Sequence, residues 1–228
     1  MRCEVHLAHP AAPTPALLDL LDPVEQVRGE TYARAVDRAR FLTGRVMAKA
    51  LVGRELGVPP RAVRFDSTCP DCDRPHGKPR VGGGPELSIS HSGDRVAVAL
   101  AAAPVGVDVE QVVERELMAE LVRMSLTERE QSALTTPVPG FFTYWSRKEA
   151  VLKATGKGLA VPMRAIAVSA PDEQPALLDG TKAGLLPATT HLVDIDAGPG
   201  YRACVAVLGD AAPQVRVLWA DDLVKGLS

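Results

Sequence analysis

What the sequence has little of narrows the field first. No run of apolar residues approaches the roughly 18 that a membrane-spanning helix requires. The opening Met1-Arg2-Cys3-Glu4 lacks the unbroken apolar stretch of a secretory signal. Four cysteines, Cys3, Cys69, Cys72 and Cys204, are scattered and do not form a disulfide framework, which points to a cytoplasmic protein. Net charge is also nearly missing: 26 Lys and Arg against 28 Asp and Glu leave −2. Non-specific nucleic-acid binding rests on a strong basic excess, so that function class is excluded. No internal repeat and no low-complexity linker is present.

What remains is an ordinary globular chain of 228 residues, 46% apolar and 24% charged. Such a length suits one large domain or two small ones. Pro13 to Asp22 reads as a short helix or turn. Between Glu30 and Leu56, Phe41, Leu42, Val46, Ala50 and Leu51 recur near the helical period, and Gly57 with Pro59-Pro60 ends the run. Arg38, Arg40 and Arg45 lie among those apolar positions. Short strands are expected at Glu86–Ser90, Arg95–Ala102 and Val107–Glu110, joined as a meander. Thr127 and Glu130 form a capping-box pattern. A second long helix is expected from about Phe141 to Thr155, stopped by Gly156-Lys157-Gly158. Strands follow at Ala165–Ser169, His191–Asp196, Tyr201–Leu208 and Val215–Trp219. The class is α+β, with one long helix and several mostly antiparallel strands in each half.

The chemistry sits in short stretches. In Gly106-Val107-Asp108-Val109-Glu110, strand alternation sends Asp108 and Glu110 to one face and the valines to the other. Adjacent carboxylates repel unless a cation or a shared proton relieves them, and hard oxygen donors without histidine suit magnesium. By itself this pentapeptide fits a solvated strand face better than a metal site. On the second helix, Phe141, Trp145, Glu149 and Leu152 share one stripe, which sets an acid beside core-like residues; Lys153 lies four residues beyond Glu149. An acid on a buried side usually has a metal or a proton to handle. Ser88-Ile89-Ser90-His91-Ser92-Gly93 closes a strand with hydroxyls and an imidazole that suit a phosphate, or simply a structural turn. Gly77-Lys78-Pro79 and Gly156-Lys157-Gly158 each present a cation on a turn. Cys69 and Cys72, with His76 nearby, invite a zinc reading. A structural zinc site wants four ligands, however, and Cys204 belongs to an apolar strand.

Taken in order, Gly77-Lys78-Pro79, Ser88-Ile89-Ser90-His91-Ser92, Gly106-Val107-Asp108-Val109-Glu110 and the block from Trp145 to Leu159 resemble the Sfp-type 4′-phosphopantetheinyl transferases. The likeness runs from about Arg38 to Leu159, with Gly200-Tyr201 to Val207 similar to the family's closing strand. It implies two similar α+β halves, residues 1–105 and 106–228, with coenzyme A between them. The first half would take the adenine and 3′-phosphate, and the second the metal and the transfer chemistry. The resemblance makes Asp108, Glu110 and Glu149 magnesium ligands, with Glu149 or a metal-bound water the candidate base and Asp108 also facing the co-substrate. Lys153 would meet the phosphate being transferred. Ser90 and His91 would hold coenzyme A phosphates, Gly77 and Lys78 would border the adenine, and Arg38, Arg40 or Arg45 would pair with the 3′-phosphate. The acceptor would be a serine of an apo carrier protein of the acyl, polyketide or peptidyl kind, met by a surface such as Ala119–Leu134. The enzyme would work as a monomer, away from membranes and nucleic acid. Two rival readings exist: another magnesium-dependent phosphoryl enzyme, which leaves the order of Lys78, His91 and Lys153 unexplained, and a binding module, which would be expected to have lost an acid or Lys153.

Overall fold

A computed structural model describes residues 1–69, 72, 74–75, 77–114, 116 and 118–227, with Leu159 described at its backbone only. The strands are β1 (Arg2–Ala8), β2 (Glu86–Ser92), β3 (Arg95–Ala101), β4 (Val105–Gln111), β5 (Ala167–Val168), β6 (Leu177–Asp179), β7 (Thr190–Ile195), β8 (Tyr201–Leu208) and β9 (Gln214–Trp219). The α-helices are α1 (Pro15–Leu18), α2 (Pro23–Glu30), α3 (Ala35–Leu56), α4 (Met118–Ser125), α5 (Glu128–Ser132), α6 (Pro137–Thr155) and α7 (Asp221–Lys225). Among the described residues no helix is long and apolar enough to cross a membrane.

The architecture is α+β. One sheet has the order β2-β3-β1-β9, a second the order β4-β8-β7, and β5 and β6 form a small ribbon. Pairing is antiparallel except between β1 and β9, which run parallel. The two sheets share a core of mostly small side chains: Cys3, Val5, Ala97 and Ala99 from one, Val107, Val109, Ala203 and Val205 from the other. Helix α3 covers the far face of the first sheet, burying Met47, Ala48, Leu51 and Val52 against Leu87, Val96 and Val98. Helix α6 covers the far face of the second, burying Phe141, Phe142, Val151 and Leu152 with Cys204 and Ala206. The layers are therefore helix, sheet, sheet, helix, and each apolar face finds a partner.

Two sequence expectations change in the structure. The expected meander does not form. β2 and β3 pair as a hairpin, but β4 leaves that sheet and pairs with β8, with Asp108 opposite Cys204. The helix expected over Glu30–Leu56 begins later, as α3 at Ala35, and a separate helix, α2, precedes it. Asp22 accepts from the Glu25 N–H at 2.9 Å and Glu25 accepts from the Asp22 N–H at 3.0 Å, a capping box that, with Pro23, starts α2 early. Helix α3 then begins afresh at Ala35 and ends on Gly57 in the left-handed region. The capping box expected at Thr127 and Glu130 is present and starts α5, so the segment Ala119–Leu134 holds α4 and α5. At the end of the chain β9 rejoins the first sheet beside β1.

Gly106 sets how closely α6 lies on β4. A Cβ there would stand 2.0 Å from the Ala150 carbonyl oxygen and 2.4 Å from the Ala154 nitrogen, so any side chain would push the helix away. Lys148, fully buried on the same helix, is the anchor on its other side. Its ammonium donates to the carbonyls of Ser125 (2.9 Å), Ile166 (2.9 Å) and Met163 (3.1 Å) and pairs with Glu130 at 2.6 Å. Glu130 also accepts from the Val168 N–H at 2.9 Å, so this one pair fastens α4, α5, α6 and β5 together. Removing one member of a buried pair strands the other charge. Glu130→Ala is expected to cost about 3–5 kcal/mol in chemical denaturation. Adding Lys148→Met in the same chain should recover part of that loss. If the double variant is as unstable as the sum of the singles, the charge account of this anchor is wrong.

Candidate active site

Where the edges of β2 and β4 meet, between α3 and α6, the surface opens into a cleft of about 340 Å³. Its walls combine three chemistries. Asp108, Glu110 and Glu149 are acidic; Arg28, Arg45 and Lys153 are basic; Tyr32, Phe41, Ile89 and Trp145 are apolar or aromatic. Pro79, Ser90 and His91 complete the lining. Strand alternation explains the acids: Val107 and Val109 turn into the core between the sheets, leaving Asp108 and Glu110 on the side of α6. Helical spacing brings Glu149 and Lys153 down from α6 to meet them.

Lys153 stands at the centre of this arrangement. Its ammonium donates to Asp108 Oδ1 at 2.6 Å and to Ser90 Oγ at 2.9 Å. Ser90 Oγ donates in turn to Asp108 Oδ1 at 2.9 Å, and Ser92 Oγ to Glu110 Oε2 at 3.0 Å. Asp108 Oδ2 is buried without a hydrogen-bond partner, the condition of an oxygen that suits a cation. The donor set, three carboxylates without sulfur or imidazole among them, fits a hard divalent ion. Among the described residues, no three His, Cys, Asp or Glu side chains are gathered tightly enough to hold a metal as they stand. The acids share one cleft, and the Lys153 ammonium supplies the positive charge at Asp108. Burial pushes the Glu149 carboxyl up, helped by Asp108 and opposed by Lys153. Burial pushes the His91 imidazole down, and the positive charges of Lys153 and Arg40 add to it.

The other sequence candidates divide. Arg45 lines the cleft, its guanidinium 5.6 Å from the ring centres of Phe41 and Phe65 and 3.9 Å from Glu25, with Nη1 left without a hydrogen-bond partner. Arg38 does not line it: Arg38 borders a neighbouring recess and donates to the Gly29 carbonyl at 3.3 Å. Arg40 is taken up by the Gly93 carbonyl and Asp37, each at 2.6 Å. Gly77 and Lys78 also fall outside the lining, although Pro79 is in it. The Lys78 ammonium donates to the carbonyls of Val105 (3.0 Å) and Ala154 (3.2 Å) and pairs with Glu86 at 3.2 Å, tying the end of α6 to the start of β4. Cys69 is buried, Cys72 is exposed, and His76 lies outside the described residues. Cys204 is core, as expected of an apolar strand.

Sequence reasoning missed Arg28, Tyr32 and Phe41 as cleft residues. Arg28 sits in the last turn of α2, a helix that reasoning overlooked; the signal was Asp22-Pro23 followed by Glu25. Phe41 was read only as a core position of α3.

Comparison with known proteins follows the same residues. Residues 104–206 match the family profile of the 4′-phosphopantetheinyl transferase superfamily. A putative 4′-phosphopantetheinyl transferase of Synechocystis is 31% identical over 64% of this chain and 61% of its own length. The 4′-phosphopantetheinyl transferase psf-1 of Bacillus pumilus is 26% identical over 90% of this chain and 86% of its own. Sfp of Bacillus subtilis, a 4′-phosphopantetheinyl transferase, is 24% identical over 86% of each chain.

The depressed imidazoles have a measurable consequence. His91 and the buried His6 both lie below the usual value, in each case chiefly through burial. The unfolded chain then binds protons more readily than the native one below about pH 6.5. Their contribution to stability is complete above that pH and is lost as pH falls toward the depressed native values. In thermal melts across this range, His91→Gln should lessen the acid-side loss, with His6 keeping part of it. An unaltered slope would show that His91 titrates as it does in the unfolded chain. The matched residues 104–206 include Asp108, Glu110, Glu149 and Lys153, and profile, relatives and motif order together make the chain similar to the 4′-phosphopantetheinyl transferases, its Sfp-type members among them.

Proposed function

We propose that this transferase moves the 4′-phosphopantetheine arm of coenzyme A onto a serine hydroxyl of an acyl, polyketide or peptidyl carrier protein, releasing adenosine 3′,5′-bisphosphate. The observation that carries this reading is the single cleft in which Asp108, with its unpartnered buried oxygen, faces Lys153 and Glu149 while Arg28 and Arg45 stand in the same wall. A molecule with a diphosphate and a separate phosphomonoester needs cations at two places, and the lining supplies two groups of them. Tyr32, Phe41 and Trp145 offer flat or apolar surface to the rest of such a ligand.

Asp108, Glu110 and Glu149 would hold the divalent ion, magnesium by donor type. When bound, that ion neutralises charge on the diphosphate. Lys153, four residues from Glu149, would turn from Asp108 to the phosphate oxygens, a fixed positive charge where negative charge develops. Arg45, backed by Glu25 and the Phe41 and Phe65 rings, and Arg28 would receive the phosphomonoester. In the transfer the serine oxygen bonds to the phosphorus that carries pantetheine, and the bond from that phosphorus to the departing adenosine bisphosphate breaks. Glu149, which lines the same cleft, would accept the hydroxyl proton as general base. Arg123 and Met124, both exposed on α4, offer the mixed basic and apolar contact that an acidic helical carrier would meet.

Apo carrier protein incubated with coenzyme A, magnesium and this enzyme should gain the mass of one phosphopantetheine arm. Asp108→Ala should abolish that gain without unfolding the protein; full activity in this variant would overturn the metal assignment. Lys153→Ala should lower turnover at saturating substrates. An unchanged rate would hand its role to another cation.

A further inference from the structure

Among the described residues, the outer edge of β4 meets β2 without a backbone ladder, yet its outward N–H groups are satisfied. Val107, Val109 and Gln111 donate to the hydroxyls of Ser88 (3.0 Å), Ser90 (3.3 Å) and Ser92 (3.1 Å). These three serines alternate along β2, so they share one face, while Ile89 lies against α3 on the other. The sheets are thus stitched together by hydroxyls where a backbone ladder is missing. Each serine oxygen accepts a bond from β4, Ser90 a second from Lys153, and its proton is left to give. Ser90 and Ser92 give theirs to Asp108 and Glu110. Ser88 has no acid opposite it, because its neighbour across the seam is Gly106.

We propose that Ser92 is a positioning residue for the metal carboxylates: by accepting from Gln111 N–H and donating to Glu110 Oε2, it fixes that carboxylate relative to the strand that bears it. Ser90 does the same for Asp108, but it also touches Lys153, so its loss would be ambiguous. Ser92 is the clean case. A serine is suited to the task, since a hydroxyl donates and accepts at one atom and its short stem confines that atom to the seam. Partners that orient metal ligands typically change metal affinity by about 10–100-fold when removed. This inference rests on the reading of Asp108, Glu110 and Glu149 as cation ligands.

The test is calorimetric binding of Mg²⁺ and Mn²⁺ to the free protein, paired with transfer rate as a function of Mg²⁺. Ser92→Ala should weaken cation binding about tenfold or more and raise the Mg²⁺ needed for half-maximal rate by a similar factor. The KM for carrier protein should stay as in wild type. Ser92→Thr, which keeps the hydroxyl on β2, should restore cation affinity toward wild type, which a purely structural role for the side chain would not require. Wild-type cation affinity in a folded Ser92→Ala protein overturns the positioning role while leaving the proposed reaction intact. A wild-type protein that neither binds these cations nor depends on them overturns the metal reading, and this inference with it. If Ser92→Ala does not fold, the decision passes to Ser92→Thr: affinity much weaker than wild type in that folded variant overturns the inference.

Discussion

The seam between β2 and β4 is the constraint on which the rest of this structure depends. Two sheets of different strand order meet there without a shared backbone ladder, and three serine hydroxyls take the place of carbonyls for the β4 N–H groups. Unpaired amides in a buried edge would each cost free energy comparable to a lost hydrogen bond. Because the substitutes are side chains with a proton to spare, the contact that joins the sheets also orients the acids. Stability and site geometry come from the same atoms.

Further ties hold the seam in register. Lys78 reaches from its loop to both β4 and α6. Arg95, at the start of β3, lies 4.7 Å from the Tyr201 ring centre and 5.2 Å from that of Trp219 and donates to the Ala197 carbonyl at 2.8 Å, so β8 and β9 are linked to the hairpin that carries the serines. The hairpin turn itself admits only glycine at Gly93, which has a positive φ and whose Cβ would stand 2.2 Å from the Tyr201 hydroxyl. Gly106 does the corresponding service at the other wall, letting α6 come near enough for Glu149 and Lys153 to enter the cleft.

The electrostatics of the cleft follow from that closeness. Burial raises the proton affinity of Glu149, Lys153 opposes that rise and Asp108 adds to it, while Lys153 also donates to Asp108. The second charged layer is at the α2–α3 wall, where buried Glu25 meets Lys49 at 2.9 Å and Arg45 at 3.9 Å. That wall keeps an arginine directed at the cleft, held between aromatic rings rather than free in solvent.

Much of this was legible in the linear chain. Alternation in Val107-Asp108-Val109-Glu110 placed the acids on one face, and helical spacing placed Glu149 and Lys153 together; both are local geometry, set by backbone periods of two and 3.6 residues. The capping box at Thr127 and Glu130 and the glycine stops at Gly57 and Gly156 are local for the same reason. The strand β1 was also within reach, since Cys3, Val5 and Leu7 alternate with Glu4 and His6, but its two short turns of pattern are weak beside a long helix. Tertiary structure decided the remainder: that β4 deserts the hairpin for β8, that β9 returns beside β1, that Lys78 faces carbonyls instead of the cleft, and that Arg28 joins Arg45 while Arg38 turns away. Those outcomes depend on which distant surfaces are buried against each other, and no short-range repeat in the sequence carries that information.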